Sequence, residues 1–396
     1  MKINDTKSKV MVIGKKMDMT RKWFLGTLTL EECTMYKYLG IIFAESLQDS
    51  PHIKQHLKGK LSRLNGYICS ILSSHDNINR VTFGDSLWKS LIMPSLSHGS
   101  AVWFNNTKES TSIVRSFQYT VARAILQVRG TPAMVATLGE FGWLPLITIL
   151  NKQRVKYYHH VKYNIPANRL CKRILCDLET NFHSGHKSCW PYMSQISTIL
   201  SEAGLDNVNC RDTGDWIYPF CKLSTQNYVY DFFKDIDEMS SLSYYKLIKY
   251  STLGERYMFQ VNDFKGTRLK FMARTGCLGL EETLQRWNLS NGICKLCNQG
   301  IEDLFHFTFT CEHSKELRIK IWRNLEKCLL EHGYTHVWEH FTRSSLTTKF
   351  TLLFEISFNY DHAVFDIFDS ACKTFLKEAW RCRMVALEGA GCDISV

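Results

Sequence analysis

Four residues between positions 294 and 311 have the types and the spacing of a metal-ligand set: Cys294, Cys297, His306 and Cys311. Cys294 and Cys297 are separated by two residues, so one tight turn can aim both sulfurs at one ion while His306 and Cys311 close a tetrahedron from the other side. Three soft sulfurs and one imidazole nitrogen favour zinc. A closed four-ligand set leaves no position for water, which marks a structural site that holds a fold together and performs no reaction. His313 is the rival to His306, but it lies only two residues past Cys311, a spacing that strains a shared chelate. In a chain with 15 cysteines a Cys-x-x-Cys pair also fits a redox dithiol or coincidence. A redox pair, however, has no use for a histidine and a third cysteine at finger-like spacing. Cys189, Cys210 and Cys221 match no ligand spacing and read as ordinary thiols.

The elements that must position this site belong to a chain of 396 residues, 45% hydrophobic and 22% charged, which is ordinary globular composition and enough for two or three domains. The cysteine count is odd and no charged-then-apolar leader precedes Met1-Lys2-Ile3, so reduced thiols are expected rather than a disulfide framework. Lys349 and Glu355 interrupt the best apolar run, which therefore falls short of the roughly 18 residues of a membrane span, and no membrane partner is expected. The net charge of +11 points to an anionic partner, and residues 1–80 hold thirteen Lys/Arg against seven Asp/Glu. That concentration suits a nucleic-acid-facing N-terminal region, and it also fits a solvated basic face.

Hydrophobic patterning predicts a fold that is mainly α with a small N-terminal β element. Ser8 to Gly14 reads as a short strand flanked by lysines, followed by strands around Phe24–Leu30 and Tyr36–Phe43, with Gly40 at a hairpin bend. Residues 51–72 form an amphipathic helix opened by Ser50 and Pro51, with Ile53, Leu57, Leu61, Leu64, Ile68 and Ile71 on one face and Lys54, Lys58, Lys60 and Arg63 on the rest. Helices are predicted over 83–92, closed before Pro94, and over 112–126. From about 165 to 255 glycines and prolines suggest short helices between loops, with an insertion or a flexible linker. Helices return over 315–330 and 365–384, the latter with Phe368, Ala371, Phe375 and Ala379 inward, before a frayed tail at 389–396.

Several stretches resemble non-LTR (LINE-type) retrotransposon reverse transcriptases. Around the cysteines these are Arg274-Thr275-Gly276, Leu278-Gly279-Leu280, Glu282, Arg286-Trp287 and Glu302-Asp303-Leu304-Phe305-His306-Phe307. Near the start, Asn4, Lys7, Lys9, Val10 and Met11 look like the last palm motif, with Lys7 matching the lysine near the outgoing pyrophosphate, and Tyr36-Lys37-Tyr38-Leu39-Gly40 looks like the primer-grip turn. Leu87-Trp88, Met93-Pro94, Gly99, Val102-Trp103, Gln118, Arg123, Leu126, Pro132 and Gly139-Glu140-Phe141-Gly142 resemble the thumb and the helical connection beyond it. The resemblance covers roughly 1–160 and 260–315.

It implies a palm end with primer-grip-like turn over 1–45, thumb and connection over 46–165, a helical linker region over 166–260, a CCHC zinc segment over 261–315 and C-terminal helices over 316–396. The implied partners are RNA, DNA or an RNA–DNA duplex and the remainder of the reverse transcriptase polyprotein, in nucleus and cytoplasm. The implied nucleic-acid contacts are Lys7, Lys9, Lys37, Lys54, Lys58, Lys60 and Arg63. No Asp-Asp dipeptide occurs, so the carboxylates that hold two catalytic metals in such polymerases are missing and no catalytic residue is assigned. No Gly-x-Ser-x-Gly elbow supports a hydrolase either. Two alternatives stand beside this reading: a stand-alone zinc-binding nucleic-acid or protein adaptor derived from such an element, and a nuclease site near Asp361, Asp366 and Asp369.

Overall fold

Two tight turns set the strands in the first part of the chain, and among the described residues helices make up most of the rest. The computed structural model describes residues 7–13, 22–46, 58–73, 79–104, 107–184, 191–205, 214–259, 263–355 and 360–389. Strand β1 (Lys9–Val10) runs parallel to β3 (Leu28–Glu32), which pairs antiparallel with β2 (Trp23–Leu25); β4 (Met35–Tyr38) and β5 (Ile41–Ala44) form a separate hairpin. The mainly helical fold with a small β element is as expected, but the predicted strand over 24–30 is a hairpin. Its two-residue loop is Gly26-Thr27, and Gly26 adopts φ 62°, the left-handed backbone that a tight hairpin asks of its first loop residue. The β4–β5 bend places both Leu39 (φ 48°) and Gly40 (φ 86°) in that region, the mirror-image turn whose twist matches the strands.

Among the helices, Lys58–Ser73 is the described part of the basic amphipathic helix; Ser50, Pro51 and Lys54 lie outside the described residues. Asn79 caps Arg80–Leu87 by accepting from the Val81 and Thr82 amides at 3.1 Å each. The helical path does not close before Pro94 as predicted. A wide turn over Trp88–Ile92, closed by Met93 N–H donating to the Trp88 carbonyl, carries it into Met93–Ser97, where Pro94 sits in a first turn that needs no N–H from it.

The chain divides into two compact units: residues 1–70, 87–118 and 144–228, and residues 71–86, 119–143 and 229–396. The region predicted as loops and short helices builds Leu170–His183 and Pro191–Glu202 in the first unit and the 22-residue Ile217–Glu238, of which residues 217–228 belong to the first unit. Val155, Tyr158, Leu175, Ile196, Trp216 and Phe220 form a buried core there, and Tyr158 donates to Glu179 at 2.6 Å. Residues 185–190 and 206–213 of this region lie outside the described residues.

The second unit packs Phe264–Arg274, Lys315–Glu331, Leu346–Phe354 and His362–Gly389 around Leu325, Phe341, Phe350, Phe368 and Phe375. Within it runs a buried ionic network. Arg274, fully buried, forks onto Glu140 at 3.0–3.2 Å, reaches Glu255 and Glu355 at 3.0 Å each and donates to the Phe354 carbonyl at 2.8 Å. Tyr257 donates to Glu140, and Lys249 pairs with Glu255 while donating to the Gly139 and Leu253 carbonyls. Lys270 and Lys373 share buried Asp369 at 2.7 and 2.8 Å, and Lys373 also donates to the Tyr257 carbonyl. Charges taken this far from water persist only when paired and hydrogen-bonded, so the network fixes where these segments meet.

Candidate metal centre

The metal-ligand segment begins where the Glu281–Arg286 helix ends. A backbone bridge pairs Ile293 with Ile301, Cys294 N–H donates to the Gly300 carbonyl at 3.0 Å, and Asn298 N–H returns to the Cys294 carbonyl at 2.9 Å. This knuckle turns Cys294 and Cys297 to the same side. On the other side Asp303 accepts from His306 N–H at 2.6 Å, starting a short helical run, and Cys311 N–H donates to the His306 carbonyl at 2.8 Å in a wide turn. That turn brings His306 and Cys311 back to the knuckle.

The four ligand atoms lie within 4.8 Å of one another, with Cys294 and Cys311 buried and Cys297 and His306 half-buried. Cys294 Sγ is 3.9 Å from Cys311 Sγ, and Cys297 Sγ is 3.3 Å from His306 Nε2. A tetrahedral ion with sulfur bonds of about 2.3 Å and nitrogen bonds of about 2.0 Å separates its ligands by roughly 3.8 Å (S···S) and roughly 3.5 Å (S···N). The spacing already fits a metal ion. Nε2 faces the thiols while Nδ1 lies 3.3 Å from the Thr310 hydroxyl, so the tautomer that ligates through Nε2 can donate its Nδ1–H to Thr310. His313 is exposed and outside the group.

No protein-family model, curated protein or solved structure matches this chain.

Burial pushes the Cys294 thiol up to about 12, opposed by the backbone N–H groups of Cys297 and Leu296; burial likewise raises Cys311. Without a metal these thiols keep their protons, and a metal must displace them on entry. The segment's phenylalanines pack beyond the segment itself. Phe307 packs on Phe375 (6.1 Å) and Trp380 (6.4 Å), and Phe305 on Tyr244 and Phe350 (5.1 Å each), so the site is anchored in the core of its unit.

Sequence reasoning missed the charges beside the site. Glu302 Oε1 lies 3.8 Å from Cys294 Sγ, and Arg383 forks onto Glu302 at 2.9 and 2.7 Å and reaches Glu281 at 3.3 Å. Only the buried acid between the second cysteine and the histidine could have hinted at this.

The remaining sequence candidates fall elsewhere. Lys9 is paired with Glu31 at 2.8 Å, Lys37 is exposed on β4, and the Lys7 carbonyl accepts from Tyr36 at 2.7 Å. Arg63 is exposed and bonds back to the Gly59 carbonyl at 3.2 Å, while Lys58 and Lys60 lie on the same helix. Asp361, Asp366 and Asp369 do not converge: Asp361 accepts from Tyr334 at 3.0 Å, Asp366 faces Arg256 at 3.3 Å, and Asp369 is held by its two lysines.

Proposed function

We propose that this chain is the C-terminal part of a non-LTR retrotransposon reverse transcriptase, which holds RNA template and primer by backbone contacts, and that Cys294, Cys297, His306 and Cys311 bind one structural zinc. The observation that carries the reading is the convergence of these four side chains within 4.8 Å, in a segment whose flanks match the reverse transcriptase pattern. A second point supports it: Gly139-Glu140-Phe141-Gly142 and Arg274-Thr275-Gly276, two distant stretches of that pattern, meet in the buried Glu140–Arg274 pair. Zinc suits three thiolates and an imidazole at tetrahedral spacing, and its contribution is to fold stability alone. Nucleic acid is assigned to the basic N-terminal region, where exposed Lys37 and Arg63 accompany the other lysines.

The test is fluorescence anisotropy of the purified chain with RNA–DNA duplexes of unrelated sequence. Backbone recognition predicts affinities within a few-fold of one another. Absence of binding at low salt, or strict dependence on one sequence, contradicts the proposal.

A further inference from the structure

The metal centre carries a charge problem that the chain solves from its far end. A dication with three thiolates and a neutral imidazole has a net charge of about −1. Two buried carboxylates stand beside it, Glu302 at 3.8 Å from Cys294 Sγ and Glu281, whose N–H donates to Glu302 at 3.0 Å. Three cations lie around the site: Lys295, half-exposed, pairs with Glu281 at 3.2 Å; Arg318 donates to the carbonyl of the ligand Cys311 at 2.9 Å; and Arg383 lies buried between Glu281 and Glu302. Of the three, Arg383 faces the carboxylate nearest the ligands, and it comes from the His362–Gly389 helix rather than from the metal segment.

We propose that Arg383 is a positioning residue of the metal centre, whose guanidinium compensates the charge that a thiolate-bound metal and Glu302 place in one buried pocket, so that the last helix sets the affinity of the site. Without it, Glu302 is left buried and uncompensated beside an anionic centre, and releasing the metal relieves the repulsion. Glu302→Gln removes the same repulsion from the other side and leaves an amide able to donate toward the Cys294 sulfur. Residues around metal ligands typically change affinity by about 10–100-fold when lost.

The proposal rests on the zinc reading, and its test separates the two. Zinc affinity of the full chain is measured by competition with a chromophoric chelator for the wild type, Arg383→Gln, Arg383→Lys, Glu302→Gln and the Glu302→Gln/Arg383→Gln double variant. Arg383→Gln is expected to weaken zinc binding by about 10–100-fold, Arg383→Lys to keep most of the affinity, and the double variant to recover most of the loss. A wild type that binds zinc no more tightly than Arg383→Gln, or a double variant as weak as Arg383→Gln, overturns the role of Arg383 alone. A wild type that takes up no zinc overturns the metal reading and this proposal together. Should Arg383→Gln not fold, Glu302→Gln decides: binding at least as tight as wild type supports charge compensation, and weaker binding refutes it.

Discussion

Each of the four ligands is a single atom whose loss opens the tetrahedron, and metal analysis reads that loss directly. One zinc per chain is expected for the wild type and for His313→Ala, and none for Cys294→Ser, Cys297→Ser, His306→Ala or Cys311→Ser. Retention of zinc by His306→Ala together with its loss from His313→Ala would reverse the ligand assignment. The buried Arg274–Glu140 pair makes a second prediction. Arg274→Met leaves two buried carboxylates, Glu140 and Glu255, and the half-buried Glu355 short of their shared cation, and breaking such a buried pair costs about 3–5 kcal/mol. Denaturant unfolding checks this, and a change below about 1 kcal/mol would show that the pair contributes little. The ligands were legible in sequence because metal chelation is local and their spacing is short. Arg383 and Glu140 were not, because their partners lie 81 and 134 residues away.

At the scale of elements, the end of the Leu346–Phe354 helix carries a pH-sensitive contact. Glu355 is held against Arg274 and Glu255; burial raises its carboxyl to about 8 from an ordinary 4.5, with Glu255 adding repulsion and Arg274 opposing. A carboxyl whose folded-state pKa lies above its unfolded value binds its proton more tightly when folded, so its stabilisation is complete at low pH and is lost as pH rises from about 4.5 through about 8. Glu355→Gln is therefore expected to flatten the fall in melting temperature between pH 5 and pH 8.5; an unchanged slope would place the titration elsewhere. The Met134–Phe141 helix ends at Gly142 with φ 67°, and a Cβ there would stand 2.2 Å from the Gly254 backbone nitrogen. Gly142→Ala is expected to cost well beyond the roughly 1–2 kcal/mol of left-handed backbone alone, whereas Gly204→Ala, in open space at φ 72°, costs only that. Equal costs in urea unfolding would contradict the close approach. Helical periodicity was readable over Lys315–Glu331, where Ile321, Leu325 and Leu329 are buried. It failed at Gly26 and Pro94, where a turn residue inside an apolar run and a proline in the first turn of the next helical segment depend on hydrogen bonds that no period encodes.

For the whole molecule, composition announced the excess of basic residues, but not that each unit is assembled from three separated stretches of chain. Such an arrangement is set by contacts between distant residues and leaves no local mark. The lack of an Asp-Asp dipeptide predicts that this chain alone extends no primer with Mg²⁺ or Mn²⁺; templated synthesis by a pure sample would contradict the reverse transcriptase assignment as drawn. The central claim, that the basic N-terminal region holds nucleic acid through its phosphates, is tested most directly by the salt dependence of RNA–DNA duplex binding. Each phosphate contact contributes about 0.9 to the log–log slope on B-form DNA, and a related value is expected here. Changing Lys54, Lys58, Lys60 and Arg63 to Glu is predicted to weaken binding similarly across sequences and to flatten that slope; a slope identical to the wild type would contradict the account.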